Sequence, residues 1–164
     1  MTRPNLSVTA TAIIVLGLQV ASAMEPPPGP APGSPGIYNS QADIVAALKA
    51  SIAKAADPAL STLGNTNEYS IHEVRRAKDG APAIHPGWTE LHFILDGSAT
   101  FVTGGKINPQ VATGPGSIEG GVSQQVKKGD AIIVPPNTPH AYYHITAPVT
   151  YLEVRMVSPS AAAK

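Results

Sequence analysis

The feature that most constrains this chain is a change of side-chain period. Beyond Asn67 the apolar positions stop recurring about every 3.6 residues and begin to alternate with a period of about 2. Turn signals then interrupt the alternation repeatedly, at Asp79-Gly80, Asp96-Gly97, Gly104-Gly105, Lys128-Gly129 and Pro135-Pro136-Asn137. Between them the pattern predicts strands over Tyr69–Ala77, Ala83–His85, Thr89–Leu95, Ser98–Thr103, Ser123–Val126, Asp130–Val134, Ala141–Ile145 and Val149–Val157. Short strands with no helices between them imply an antiparallel barrel or sandwich and argue against a parallel sheet.

Upstream of that change, Ser40 is a plausible N-cap for a helix over Gln41–Ala56, with Ile44, Val45, Leu48 and Ile52 at helical spacing and Pro58 stopping it. This stripe is expected to pack on the outside of the barrel or on a partner subunit. The first residues carry Arg3, an apolar run from Ala10 to Ala21, and Ala21-Ser22-Ala23. That is the layout of a secretory signal cleaved before Met24, and the run is shorter than the roughly 20 apolar residues of a membrane span. Export to a periplasmic or extracellular space is expected, with no membrane span after processing. The segments therefore read as a signal peptide over 1–23, a Pro/Gly-rich linker over 24–37, a helical extension over 38–66, a barrel over 67–158 and a flexible tail over 159–164.

Composition excludes several function classes. Eleven Lys and Arg balance eleven Asp and Glu, so the basic footprint of a nucleic-acid binder is missing. No cysteine is present, which removes disulfides, thiolate metal sites and a cysteine nucleophile. Any metal must be held by nitrogen and oxygen.

Four of the five histidines lie in or beside strands that flank two glycine turns. In the segment from His85 to Gly97, alternation puts Glu90, His92 and Ile94 on one face. If that face is interior, a carboxylate is buried among apolar groups, and a cation with neutral imidazoles is one of the few adequate partners. The second segment runs from Gly129 through Pro135-Pro136-Asn137-Thr138-Pro139 to His140 and His144, a hydrophobic strand entering a proline-stiffened turn.

These two segments resemble the paired motifs of the cupin superfamily, G-x5-H-x-H-x3,4-E-x6-G and G-x5-P-x-G-x2-H-x3-N. Glu90 and Gly97 keep the first spacing, and His85 falls within about one residue of the first histidine. Gly129, Pro135, Asn137 and His140 keep the second, with His144 in the place of the final asparagine. Asn137 for glycine is a mild change, since both tolerate left-handed turns. The resemblance covers about Tyr69–Val157 and implies an all-β fold: a single antiparallel, jelly-roll-like cupin barrel with one N-terminal helix. It also implies a divalent metal ion (Fe, Mn, Ni or Zn), a small-molecule ligand and a homodimer.

The family's second motif histidine has no counterpart here, since Pro86 or Gly87 stands in its place. Two ligand sets remain open. His85, Glu90 and His140 form a two-histidine, one-carboxylate triad, or His92 joins them as a fourth donor. His92 and His144 are the candidates for proton transfer, His144 by sharing a strand face with His140. Tyr142 on that face has a hydroxyl to offer. Arg75 and Arg76 lie on opposite faces of one strand, so one of them can point inward to an anionic group. His72 reads as a partly exposed strand residue. The segment Gly104–Gly121 reads as a lid over the barrel mouth or a surface excursion. The function these features imply is an exported cupin acting on a small oxygenated substrate as a dioxygenase, isomerase or lyase, or a cupin that binds a ligand or metal without turnover.

Overall fold

The computed structural model describes residues 31–108 and 116–158. Within them lie a helix, α1 (Gln41–Ile52), and the strands β1 (Ala59–Asn65), β2 (Tyr69–Arg76), β3 (Trp88–Asp96), β4 (Ser98–Thr103), β5 (Lys106–Asn108), β6 (Ser117–Glu119), β7 (Val122–Lys127), β8 (Ala131–Val134), β9 (His140–Tyr143) and β10 (Val149–Val157). The signal segment 1–23, most of the 24–37 linker and the 159–164 tail fall outside the described residues.

Five strands make one antiparallel sheet in the order β1-β2-β10-β3-β8, three make a second in the order β7-β4-β9, and β5 pairs with β6. Inward residues of both larger sheets meet in one core that includes Val74, Ile94, Phe101, Val126, Tyr142 and Tyr151. At Gly97 the chain leaves β3 for β4 and changes sheet. The residue has φ +79°, and a Cβ there would overlap the carbonyl oxygen of Pro148, so this corner requires glycine.

Ser40 caps α1 as expected, in a reciprocal box with Asp43. The helix stops at Ile52 rather than Ala56, because Ala55 turns left-handed at φ 56° and redirects the chain. The stretch read as helical to residue 66 instead contains β1, so the sheet begins at Ala59. Its alternation is inverted relative to polarity. Buried Ala59 and Ser61 face α1, where the Ser51 hydroxyl donates to the Leu60 carbonyl at 2.8 Å and sits 2.8 Å from the Ser61 hydroxyl. Ala83–His85 is not a strand, and only a single bridge pairs Ala83 with His140. Within Gly104–Gly121 the chain forms the β5–β6 hairpin, whose connecting residues lie outside the described set.

On the helix-covered face, Glu73 is 4% exposed and its Oε2 has no hydrogen-bond partner. It borders a cavity under α1 with Ile44, Val45, Leu95 and Leu152. Burial pushes this carboxyl up from its ordinary value. A carboxyl raised in the fold binds its proton more tightly there than in the unfolded chain. Its contribution is therefore full below the unfolded value of 4.5 and is lost as pH rises through the folded one. Glu73→Gln is expected to raise stability at pH 7 by about 1 kcal/mol, an advantage that shrinks toward pH 4, read from thermal melts at the two pH values.

Candidate metal centre

Strand β3 is the scaffold of the site because it is paired on both edges. Its register sets Glu90 opposite Arg155 of β10 and Val134 of β8, and His92 opposite Glu153 and Ile132. Alternation turns Glu90 and His92 inward with Ile94, and both polar residues are 1% exposed. The buried carboxylate expected from the sequence is present, and its surroundings are imidazoles.

His85 arrives from the segment before β3, and its Nδ1 comes up against Glu90 Oε1. That nitrogen has no hydrogen bond, so the contact is one of proximity without donor alignment. His140 opens β9 after the proline-rich turn, in which Asn137 takes a left-handed conformation (φ 62°), one that asparagine and glycine both tolerate. Backbone bonds tie the two limbs together: Ala83 N–H to His140 O at 2.9 Å and His140 N–H to Ala83 O at 3.0 Å.

The His140 tautomer follows from its neighbours. Nδ1 lies 3.0 Å from the Thr138 carbonyl, which can only accept, so Nδ1 carries the hydrogen. Burial lowers the imidazole's basicity, against the opposing pull of that carbonyl and of Glu90, so the ring is neutral. Its Nε2 lone pair then faces Glu90 Oε2 at 3.4 Å, so two acceptors are brought face to face. Ligand atoms of His85, Glu90 and His140 all lie within 4.8 Å of one another, and those of Glu90, His92 and Glu153 form an overlapping group. Neutral imidazoles and a carboxylate are a suitable donor set for a divalent transition metal.

His92 is placed differently. Its Nε2 is 3.0 Å from Glu90 Oε2, and its Nδ1 is 2.9 Å from the Tyr142 hydroxyl. Burial holds the Tyr142 phenol far above its usual range, so it remains a donor, and Nδ1 accepts from it. Nε2–H then donates to the carboxylate and has no lone pair for an ion. Burial by itself would raise Glu90, but the close contacts of His85 and His92 outweigh it and hold the carboxyl well below the usual carboxylate range. Beyond His92, Glu153 Oε2 stands 3.6 Å from Nε2, and Arg155 Nη2 forms an ion pair with Glu153 Oε1 at 2.7 Å. A cavity of about 140 Å³ opens beside the cluster, lined among others by His85, His92, His140, Tyr142 and Arg76.

A family model described as the cupin domain matches residues 73–155, just over half of the chain. The chain is a cupin. No curated protein matches it. Among solved structures it is similar to a protein with a double-stranded beta-helix domain from Klebsiella pneumoniae (18% identity, TM-score 0.49, 63% of this chain and 79% of that one). It is also similar to the DMSP lyase DddQ from Ruegeria pomeroyi (20%, 0.46, 63% and 48%) and to a predicted oxalate decarboxylase from Thermotoga maritima (15%, 0.47, 60% and 79%).

In this cupin, His85, Glu90, His92 and His140 converge and His144 does not. β9 ends at Tyr143, and His144 has φ 54°, which breaks the alternation that would have aligned it with His140. It is exposed, with its Nδ1 3.1 Å from the Thr100 hydroxyl and its N–H on Asp79, away from the cluster. His72 is half-buried on β2, beside the Thr62 hydroxyl. Four residues separate His85 from Glu90, so, contrary to the expectation that it stands near the first histidine, His85 takes the second histidine's place in the family spacing, and it is the first that is missing, with Ala83 there. Glu153 and Arg155 were not anticipated. Their alternation with Tyr151 is visible in the sequence, but the β10–β3 register that brings them to Glu90 and His92 is not.

Proposed function

We propose that His85, Glu90 and His140 hold a divalent ion (Fe, Mn, Ni or Zn) as a two-histidine, one-carboxylate set, and that the protein acts on a small oxygenated substrate in the adjoining cavity. The observation that carries this reading is the His140 Nε2 lone pair facing an ionised Glu90 at 3.4 Å, a repulsive pairing that a cation turns into two bonds. When bound, such an ion supplies Lewis acidity and open positions for substrate or oxygen. Around it, Tyr142 fixes the His92 ring, His92 Nε2–H supports Glu90, and Arg155 steadies Glu153. His92 borders the cavity, which supports a role for this imidazole in proton transfer, relayed through its bonds to Glu90 and Tyr142. Dioxygenase, isomerase and lyase chemistry all suit this arrangement. The leader-like layout of residues 1–23 supports export, and homodimerisation, expected from the family, is tested by sedimentation.

Elemental analysis of the purified protein after exposure to each ion is expected to find about one equivalent of metal, lost in His140→Ala with its circular dichroism unchanged. A folded wild-type protein that takes up none of the four ions would end the metal reading. Turnover of small oxygenated substrates, lost in the same variant, separates an enzyme from a binding cupin.

A further inference from the structure

The cavity beside the histidines is lined by two arginines in opposite circumstances. Arg155 is neutralised by Glu153 at 2.7 Å, with Glu90 4.0 Å from its Nε. Arg76 has no carboxylate oxygen within 4.0 Å among the described residues. Two acids at this end of β2 are committed elsewhere: Asp57 accepts from the Ala77 N–H at 2.8 Å, and Asp79 from the His144 and Ile145 N–H groups at 3.1 and 2.9 Å.

The guanidinium is nevertheless anchored. Its Nε donates to the hydroxyl of fully buried Tyr151 at 3.0 Å, its central carbon lies 5.8 Å from the centre of the Tyr142 ring, and its Nη1 packs where Gly80 has no side chain. A half-buried, fixed cation without a counter-charge is costly to the fold, and an anion forked across its free edge offsets that cost. The Tyr151 ring that receives Arg76 also stacks on His92, with centroids 4.9 Å apart, so this cation is one ring removed from the candidate metal cluster.

We propose that Arg76 is a carboxylate subsite, so that the substrate is a small carboxylic acid whose remaining oxygen function faces the His85, Glu90 and His140 donors. This rests on the metal reading above and adds to it the charge and size of the substrate. The cavity measures about 140 Å³. A cavity of about 150 Å³ accepts benzene, so the acid has two to four carbons.

The test is calorimetric titration of the full zinc-loaded chain with lactate and acetate, and with propane-1,2-diol and ethanol as uncharged partners of matching size. Zinc itself attracts carboxylates, so the deciding readout is the dependence on Arg76. Arg76→Gln is expected to weaken both acids by about tenfold or more, as the loss of a charged hydrogen-bond pair implies, while leaving the alcohols and the zinc content unchanged. Arg76→Lys, which keeps the charge and loses the fork, is expected to fall between and serves if the glutamine variant does not fold. Acids that bind a folded Arg76 variant as tightly as the wild type, or no acid binding to the wild type at tens of millimolar, would overturn the subsite. If the wild type takes up zinc but shows no Arg76 dependence, the subsite fails alone. If it takes up none of the four ions but still binds acids through Arg76, the metal reading fails and the subsite stands.

Discussion

Glu90→Ala is expected to abolish tight binding of a divalent ion. The loss should exceed the roughly 10- to 100-fold that follows from removing a group that merely supports a ligand. Glu90 is the carboxylate on which the imidazoles converge, with one oxygen toward His85 and the other toward His92 and His140. Removing it leaves the imidazoles with no anionic donor between them. Glu90→Gln is the control for packing, because it keeps the shape and the His92 contact while discarding the charge, and it should also lose most of the affinity. Competition against a chelator of known strength measures both. His144→Ala provides the contrast: that exposed ring lies on Thr100, away from the cluster, and its removal should leave metal affinity unchanged. Tight binding retained by a folded Glu90→Ala protein would remove the proposed donor set.

Phe101→Ala is expected to be the most damaging truncation for stability, at about 3–5 kcal/mol. The ring is 1% exposed and belongs to the smaller sheet, yet its centroid lies 4.6 Å from Tyr142, 5.6 Å from His92 and 6.2 Å from His140. It therefore fills the core and also forms one wall behind the imidazoles. Against a typical total stability of about 5–15 kcal/mol, such a loss leaves little margin. Denaturant unfolding should show the midpoint fall with an unchanged slope. A cost under about 1 kcal/mol would mean that the core collapses to fill the void.

The sequence made the local part of the site legible and the long-range part obscure. Alternation along one strand suffices to pair Glu90 with His92, and the spacing from Gly129 to His140 suffices to identify the turn that delivers the second histidine. Both are properties of contiguous residues. Glu153 and Arg155 depend on β10 lying between β2 and β3, strands remote from it in the chain, and no local period encodes that neighbour relation. His144 was misplaced for the opposite reason. One left-handed residue ends the period of two, and in the sequence nothing marks His144 itself as that residue. β1 escaped notice because its buried positions are Ala59 and Ser61, whose small side chains suit the helix above them and look unlike a strand core.

The paired backbone bonds between Ala83 and His140 have a consequence for how such a centre changes over time. They are made by peptide groups alone, so they persist through almost any replacement of the side chains at positions 83 and 85. Donor atoms on that limb can be exchanged, gained or deleted while the opposite limb keeps its place. If the proposed centre holds an ion, its preference is thereby uncoupled from the folding of the barrel, and a lineage can retune one without rebuilding the other.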